Sequence, residues 1–127
     1  MTETKRAAHA EVIQRLFQAT DAKDTEAKLD LVTDDVRLTF GNAETVVGRD
    51  AFQKASDDFN ASLEAVRHEI ISLFEYPAEA AIVTELTVHY KRLDGRELTL
   101  PCCNVFRLRD GRVADYRIYM DINPVYT

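Results

Sequence analysis

The sequence predicts an α+β domain in which three N-terminal helices pack on a curved, mostly antiparallel sheet. Two observations carry this. Apolar residues recur at helical spacing in the first half of the chain, then switch to alternation near residue 65 and keep it to the C-terminus. Strong hairpin signals, Asp94-Gly95 and Asp110-Gly111, divide the alternating part. Helices first and strands afterwards give a segregated α+β arrangement. At 127 residues the chain reads as one domain, 1–127, long enough to bury about two-thirds of its unfolded surface.

Residues 4–21 suit an amphipathic helix, with Ala8, Val12, Leu16 and Ala19 in one stripe, Ile13 and Phe17 widening it, and Thr2 or Thr4 as caps. Asp24 is a good N-cap for a second, short helix with Ala27 and Leu31 inside, ended by Thr33-Asp34-Asp35. Val36 to Phe40 alternates as a strand, Gly41-Asn42 turns, and Glu44 to Val47 returns. A third helix opens at Gly48-Arg49-Asp50, capped by Asp50, with Phe52, Ala55, Phe59 and Leu63 on one side. Residues 65–76, 80–92, 97–109 and 112–121 are four long strands.

Composition excludes several classes. The net charge of -6 opposes a phosphate backbone, so nucleic acid is not expected as a partner. No apolar run has the length of a membrane span, and the N-terminus has no hydrophobic segment of the secretory kind. Cys102 and Cys103 are adjacent, point to opposite faces of a strand, and read as two free thiols in a reducing cytoplasm. Metal-type spacing, phosphate-binding glycine loops and nucleophile elbows are missing, so no metal or cofactor is expected.

The rows of the strands are interrupted by polar groups. Val66-His68-Ile70 carries a histidine, Val83-Glu85-Thr87-His89 a carboxylate, a hydroxyl and a histidine, and Leu98-Leu100-Cys102-Asn104-Phe106-Leu108 an amide. Burying an unpaired polar group costs about 1–3 kcal/mol, so several converging on one face point to a pocket rather than a plain core. His68 can give or take a proton near neutrality, and Glu85 beside Asp121 would form a carboxylate pair. Each also has a structural reading, His68 as a hydrogen-bonded core group and Glu85 as an ion pair with His68 or His89. Asn104 would orient a ligand oxygen, and Tyr116 faces the pocket by parity. Phe40, Leu16, Phe59 and Met120 would supply apolar walls, or serve as ordinary core. The opposite row of the second long strand, Ile82, Thr84, Leu86, Val88 and Tyr90, is equally apolar. A second copy of the chain would cover it, predicting a homodimer through the sheet; a partly exposed row is the alternative.

Four stretches carry a family resemblance that spans nearly the whole chain. They are Leu31-Val32-Thr33-Asp34-Asp35-Val36, Gly48-Arg49-Asp50-Ala51, Asp110-Gly111-Arg112-Val113 and Tyr116-Arg117-Ile118-Tyr119-Met120-Asp121. With the element order they resemble the nuclear transport factor 2-like superfamily, a cone-shaped α+β fold, and within it the SnoaL-like domain. The resemblance implies isomerase, cyclase, hydrolase or dehydratase chemistry, or noncatalytic binding. The three steroid-isomerase places hold Phe40, Leu16 and Asn104, none of them the expected group. In the epoxide-hydrolase pattern Asp121 matches, but Glu85 replaces the arginine and Thr87 the other aspartate. Asp121 is also similar to the acid/base aspartate of SnoaL-like polyketide cyclases. Strict alternation points Asp121 away from the pocket, so its inward placement is implied by the resemblance alone and needs a bulge.

These readings combine into a small cytoplasmic protein that binds a compact apolar molecule and moves protons on it without a cofactor. Asp121, His68 and Glu85 are the expected catalytic groups, with Asn104, Tyr116, Phe40, Leu16, Phe59, Thr87 and Met120 around the ligand. The alternative is a ligand-binding or dimerisation module of the same fold without turnover.

Overall fold

In the computed structural model, which describes residues 2–127 with side chains from His9 onward, three helices cover one face of a six-stranded sheet. Helix α1 (Thr2–Asp21) is followed by α2 (Thr25–Leu29), strands β1 (Val32–Phe40) and β2 (Val46–Val47), and helix α3 (Arg49–Ser62). Strands β3 (Leu63–Tyr76), β4 (Ala81–Arg92), β5 (Glu97–Arg109) and β6 (Arg112–Tyr119) come next, and a four-residue helix, α4 (Asn123–Tyr126), closes the chain. Strand order is β2-β1-β6-β5-β4-β3. All pairs are antiparallel except β1 with β6, which joins the first half of the chain to its end. Register shifts in β1, β3 and β5 add local twist and bend the sheet around the helices.

The apolar stripe of α1 buries Ile13, Leu16, Phe17 and Ala19 against the sheet. The expected caps Thr2 and Thr4, and the stripe residue Ala8, lie outside the residues whose side chains are described. At its far end Lys23 takes a positive φ of 56°, with Lys23 N–H donating to Thr20 C=O (3.1 Å) and Asp24 N–H to Ala19 C=O (2.8 Å). This is a Schellman stop built on lysine instead of glycine. The Lys23 ammonium donates to the carbonyls of Leu63 (2.6 Å) and Asn60 (2.9 Å), which holds that residue in place.

Asp24 caps α2 as expected, accepting from Ala27 N–H at 3.1 Å. Asp24→Ala is expected to lower stability by about 1 kcal/mol, read as a shift in the urea midpoint. Three local expectations are corrected. The second helix ends at Leu29, and Thr33 to Asp35 belong to β1, because Val32 pairs with Val113 of β6 and is fully buried. Lys28 is the fully buried residue of α2, while Ala27 is only partly buried; Leu31, just past the helix, packs against the core as expected. Gly48, at φ 94°, is the N-cap of α3, and Asp50 stands exposed in its first turn. At the last hairpin Asp110 (φ 54°) and Gly111 (φ 76°) form the two-residue turn predicted for that dipeptide.

Strand β4 faces the other way from expectation. Ile82, Thr84, Leu86 and Val88 lie directly opposite Phe106, Asn104, Cys102 and Leu100 of β5. Partners directly opposite in an antiparallel ladder share a face, so the inward row of β5 brings this row of β4 inward with it. Ile82, Thr84, Leu86, Val88 and Tyr90 are all buried beneath the helices, so they are not the face a second copy would cover. Val83, Glu85, Thr87 and His89 form the outer row, where His89 Nε2 meets Glu69 Oε1 at 2.9 Å. The outer face also exposes Ile71, Phe74 and Tyr119.

Candidate functional site

Between the helices and the inner face of the sheet lies a cavity of about 210 Å³, walled by Leu38, Phe40, Phe52, Phe59, Ile118 and Met120. His68, Asn104, Tyr116, Tyr90, Thr20, Lys28 and Ser56 bring polar atoms to it, and Ala43 and Glu44 of the β1–β2 connection stand at its exposed edge.

His68 projects from β3 with its ring stacked on Phe17, centroids 4.9 Å apart and planes 15° from parallel. Its Nδ1 lies 2.6 Å from Asp21 Oδ1, and its backbone N–H donates to the same carboxylate at 3.0 and 3.2 Å. A carboxylate only accepts, so the contact with Asp21 places a proton on Nδ1; in the neutral imidazole that leaves the lone pair on Nε2. Asp21 occupies the last turn of α1, where the helix dipole disfavours a carboxylate. Its three contacts with His68 are the compensation. An acid at a helix C-terminus is a broken local rule, and that was the signal in the sequence that could have revealed it.

Asn104, 1% exposed, accepts from Cys102 Sγ–H at 3.1 Å through Oδ1. Its Nδ2 makes no protein hydrogen bond among the described residues. Burial pushes the Cys102 thiol up to about 12, with Cys103 adding to the shift, so Cys102 stays a neutral donor rather than a nucleophilic thiolate. The Tyr116 phenol is likewise pushed up, chiefly by burial and then by Cys102, Tyr90 and Asp21 nearby, and remains an O–H donor. Tyr90, raised by burial first, donates to Met120 Sδ at 3.3 Å.

Lys28 is the residue the sequence did not single out. It is 6% exposed and donates to Ser56 Oγ at 3.1 Å, with its ammonium 5.4 Å from the Phe52 ring centroid. Desolvation brings it from the ordinary 10.5 down to about 8, against the opposing pull of Asp57. Between those two values the unfolded chain holds more protons than the folded one. The cost of burying Lys28 is therefore fully present below pH ~8 and is relieved as pH rises toward ~10.5. Lys28→Met is expected to raise stability at neutral pH by on the order of 1–3 kcal/mol, a gain that shrinks across that window. Urea unfolding of both proteins at pH 7 and pH 10 checks the sign.

Of the expected site residues, His68, Asn104, Tyr116, Phe40, Phe59 and Met120 meet at the cavity. Leu16 is fully buried in the core beside it. Glu85 and Thr87 are corrected to the outer face by the β5 register. Asp121 is exposed beyond the end of β6 and accepts from Asn123 N–H at 3.0 Å in the turn that leads into α4, whose N-cap is Ile122; no bulge turns it inward. It shares a shallow outer depression with Glu85, Cys103 and Tyr119. Among the described residues no cluster of histidine, cysteine and carboxylates has the makings of a metal site.

Residues 13–116 match the SnoaL-like domain. The chain belongs to the SnoaL-like family. Solved structures agree on the fold. A protein from Xanthomonas campestris pv. campestris, proposed to be a polyketide cyclase, superposes with a TM-score of 0.85 at 20% identity, over 94% of each chain. TerC, co-crystallised with polyporic acid, gives 0.82 at 18%, over 94% of this chain and 95% of its own. A Catenulispora acidiphila protein with a ketosteroid isomerase-like fold, in complex with trimethylamine, gives 0.82 at 15%, over 91% and 88%. Among curated proteins there is no match. At these identities the fold is what the structures share. No helix of the described residues is long and apolar enough to cross a membrane.

Proposed function

We propose that this SnoaL-like protein is a cofactor-independent acid–base enzyme acting on a compact, mostly apolar molecule with a carbonyl oxygen, in an isomerisation or cyclisation. One observation carries the reading. Three polar groups at the cavity, His68 Nε2, Tyr116 Oη and Asn104 Nδ2, have no hydrogen-bond partner among the described residues, although Asp21 and Cys102 fix two of those side chains from behind. Polar groups that are positioned but unpaired are what a small-molecule site requires, and a solid core would have satisfied them. The small-molecule complexes of TerC and of the Catenulispora protein are consistent with a ligand in this place.

His68 Nε2 removes a proton from the carbon next to the carbonyl, and Asp21 holds the ring while charge forms on it. As negative charge moves onto the carbonyl oxygen, Tyr116 O–H and Asn104 N–H donate to it. The enolate carbon then attacks a second carbonyl of the same molecule, whose oxygen takes the proton from His68 as its C=O π bond breaks, or the enolate takes that proton back at a different carbon. The apolar walls keep water out. No step needs an external oxidant or reductant.

Deuterium exchange at the α-carbon of enolisable aromatic ketones, followed by mass spectrometry, tests the proposal without knowledge of the natural substrate. Catalysed exchange that vanishes in a His68→Gln variant supports it. Binding with no exchange across such a panel would instead favour a noncatalytic ligand-binding module. Asp121→Asn is the control: with Asp121 exposed in the turn before α4 and outside the cavity, exchange is expected to stay within about twofold of the parent, with a stability loss of about 1 kcal/mol or less.

The homodimer and the cytoplasmic location belong to the same proposal. With the Ile82–Tyr90 row turned inward, the sheet face left for a second copy is the outer one, and sedimentation velocity decides whether it forms. The free thiols Cys102 and Cys103 fit a reducing compartment.

A further inference from the structure

Lys28 has no part in the chemistry above, yet it is one of the most unusual side chains in the molecule. Lysine is almost never fully buried unless paired with an opposite charge. Here the ammonium lies in the cavity wall with a neutral hydroxyl, Ser56 Oγ, as its hydrogen-bond acceptor, and the face of Phe52 beneath it. Asp57, the nearest source of negative charge, acts only at a distance, and its carboxylate accepts instead from Thr25 Oγ1 at 2.8 Å. Glu44, the one carboxylate among the cavity-lining residues, stands exposed at the edge. Among the described residues no carboxylate accepts a hydrogen bond from the buried ammonium, and Asp57 offsets its charge only in part. Desolvation lowers the Lys28 pKa for that reason.

We propose that the cavity selects ligands bearing a single anionic oxygen group on an apolar skeleton, a carboxylate or an ionised enol, and that Lys28 is the group that pairs with it. The proposal builds on the small-molecule site described above and names its substrate class. An anionic oxygen at Lys28 satisfies the ammonium, and Ser56 O–H adds a second donor to the same oxygen. Phe52, Phe59 and Phe40 would enclose the apolar remainder. A neutral ligand of equal size leaves the buried charge unmatched, which is where the discrimination arises.

The test is calorimetric titration at about pH 7 with two matched pairs: 2-naphthoate against 2-naphthamide, and 2-hydroxy-1,4-naphthoquinone, ionised at that pH, against its methyl ether. In the parent protein at least one anion is expected to bind roughly tenfold or more tightly than its neutral partner. In Lys28→Met that preference disappears, and in His68→Gln it persists. The first pair reports on carboxylates and the second on ionised enols. Lys28→Gln, which keeps a polar group beside Ser56, replaces the methionine variant if that protein does not fold. Equal binding within both pairs, a preference that survives loss of the lysine, or no binding of any probe overturns the proposal. Because no turnover is measured, a failure of acid–base catalysis at His68 leaves this result standing, and the reverse also holds.

Discussion

His68→Gln is expected to lower turnover by about 10²–10⁴-fold while the protein stays folded. Glutamine fills much of the same volume and keeps a polar group toward Asp21, but it has no basic nitrogen. The backbone N–H of residue 68 still donates to the Asp21 carboxylate, so the junction between α1 and β3 survives. Asp21→Asn is the sharper companion. An amide N–H aimed at Nδ1 drives the imidazole proton to Nε2, which turns the proposed base into a donor. A loss of similar size is expected although no cavity-lining residue has changed. Rate constants for α-proton exchange, measured beside thermal midpoints, separate this from damage to the fold. If Asp21 were only a tether, exchange and stability would fall together in Asp21→Asn.

The largest effect on stability is expected at Phe106. This ring is fully buried on the inner row of β5, 5.8 Å from Phe17 in an edge arrangement and 4.5 Å from Tyr116. Truncation to alanine removes the ring from water exclusion and leaves a hole that β4, β5 and β6 cannot close without breaking their ladders. A cost of about 3–5 kcal/mol follows. A domain of this kind holds roughly 5–15 kcal/mol in all, so the urea midpoint is expected to fall by about a fifth or more. The consequence reaches the site as well. Phe17 packs on Phe106 and carries the stacked His68 ring, so Phe106→Ala is expected to loosen His68 and reduce exchange in the fraction that remains folded. Phe106→Leu, which refills most of the volume, is expected to recover the larger part of both losses.

Much of the architecture could be read from local patterns. The change of period near residue 65, the Asp94-Gly95 and Asp110-Gly111 turns and the Asp24 cap are short-range features, and each forms where it was expected because its energetics involve only neighbours in the chain. Two inward rows, Val66-His68-Ile70 and Leu98 through Leu108, were legible for the same reason: their opposite faces are visibly more polar. Strand β4 was not. Its Ile82–Tyr90 row is the more apolar and is the one buried, but the polar groups of the other row were read as a site, and that choice placed Glu85 and Thr87 in the pocket. Asp121 failed differently. Its position in a family pattern suggested an interior role, whereas in this chain it stands exposed past the end of β6, in the turn before a helix the sequence pattern did not reveal.

The chain alone therefore determined the class of fold, the element order and a part of the cavity lining, since periodicity and turn chemistry act over a few residues. Only the tertiary structure decided which face of β4 is buried, because that depends on register with β5, a choice made between strands and not within one. It also decided the working partners. Asp21 and His68 are 47 positions apart and meet at 2.6 Å, and Lys28 enters the cavity because a five-residue helix is held against α3. Both side chains look solvent-bound in their local context. Burial changes their chemistry, and burial is a property of the assembled layers.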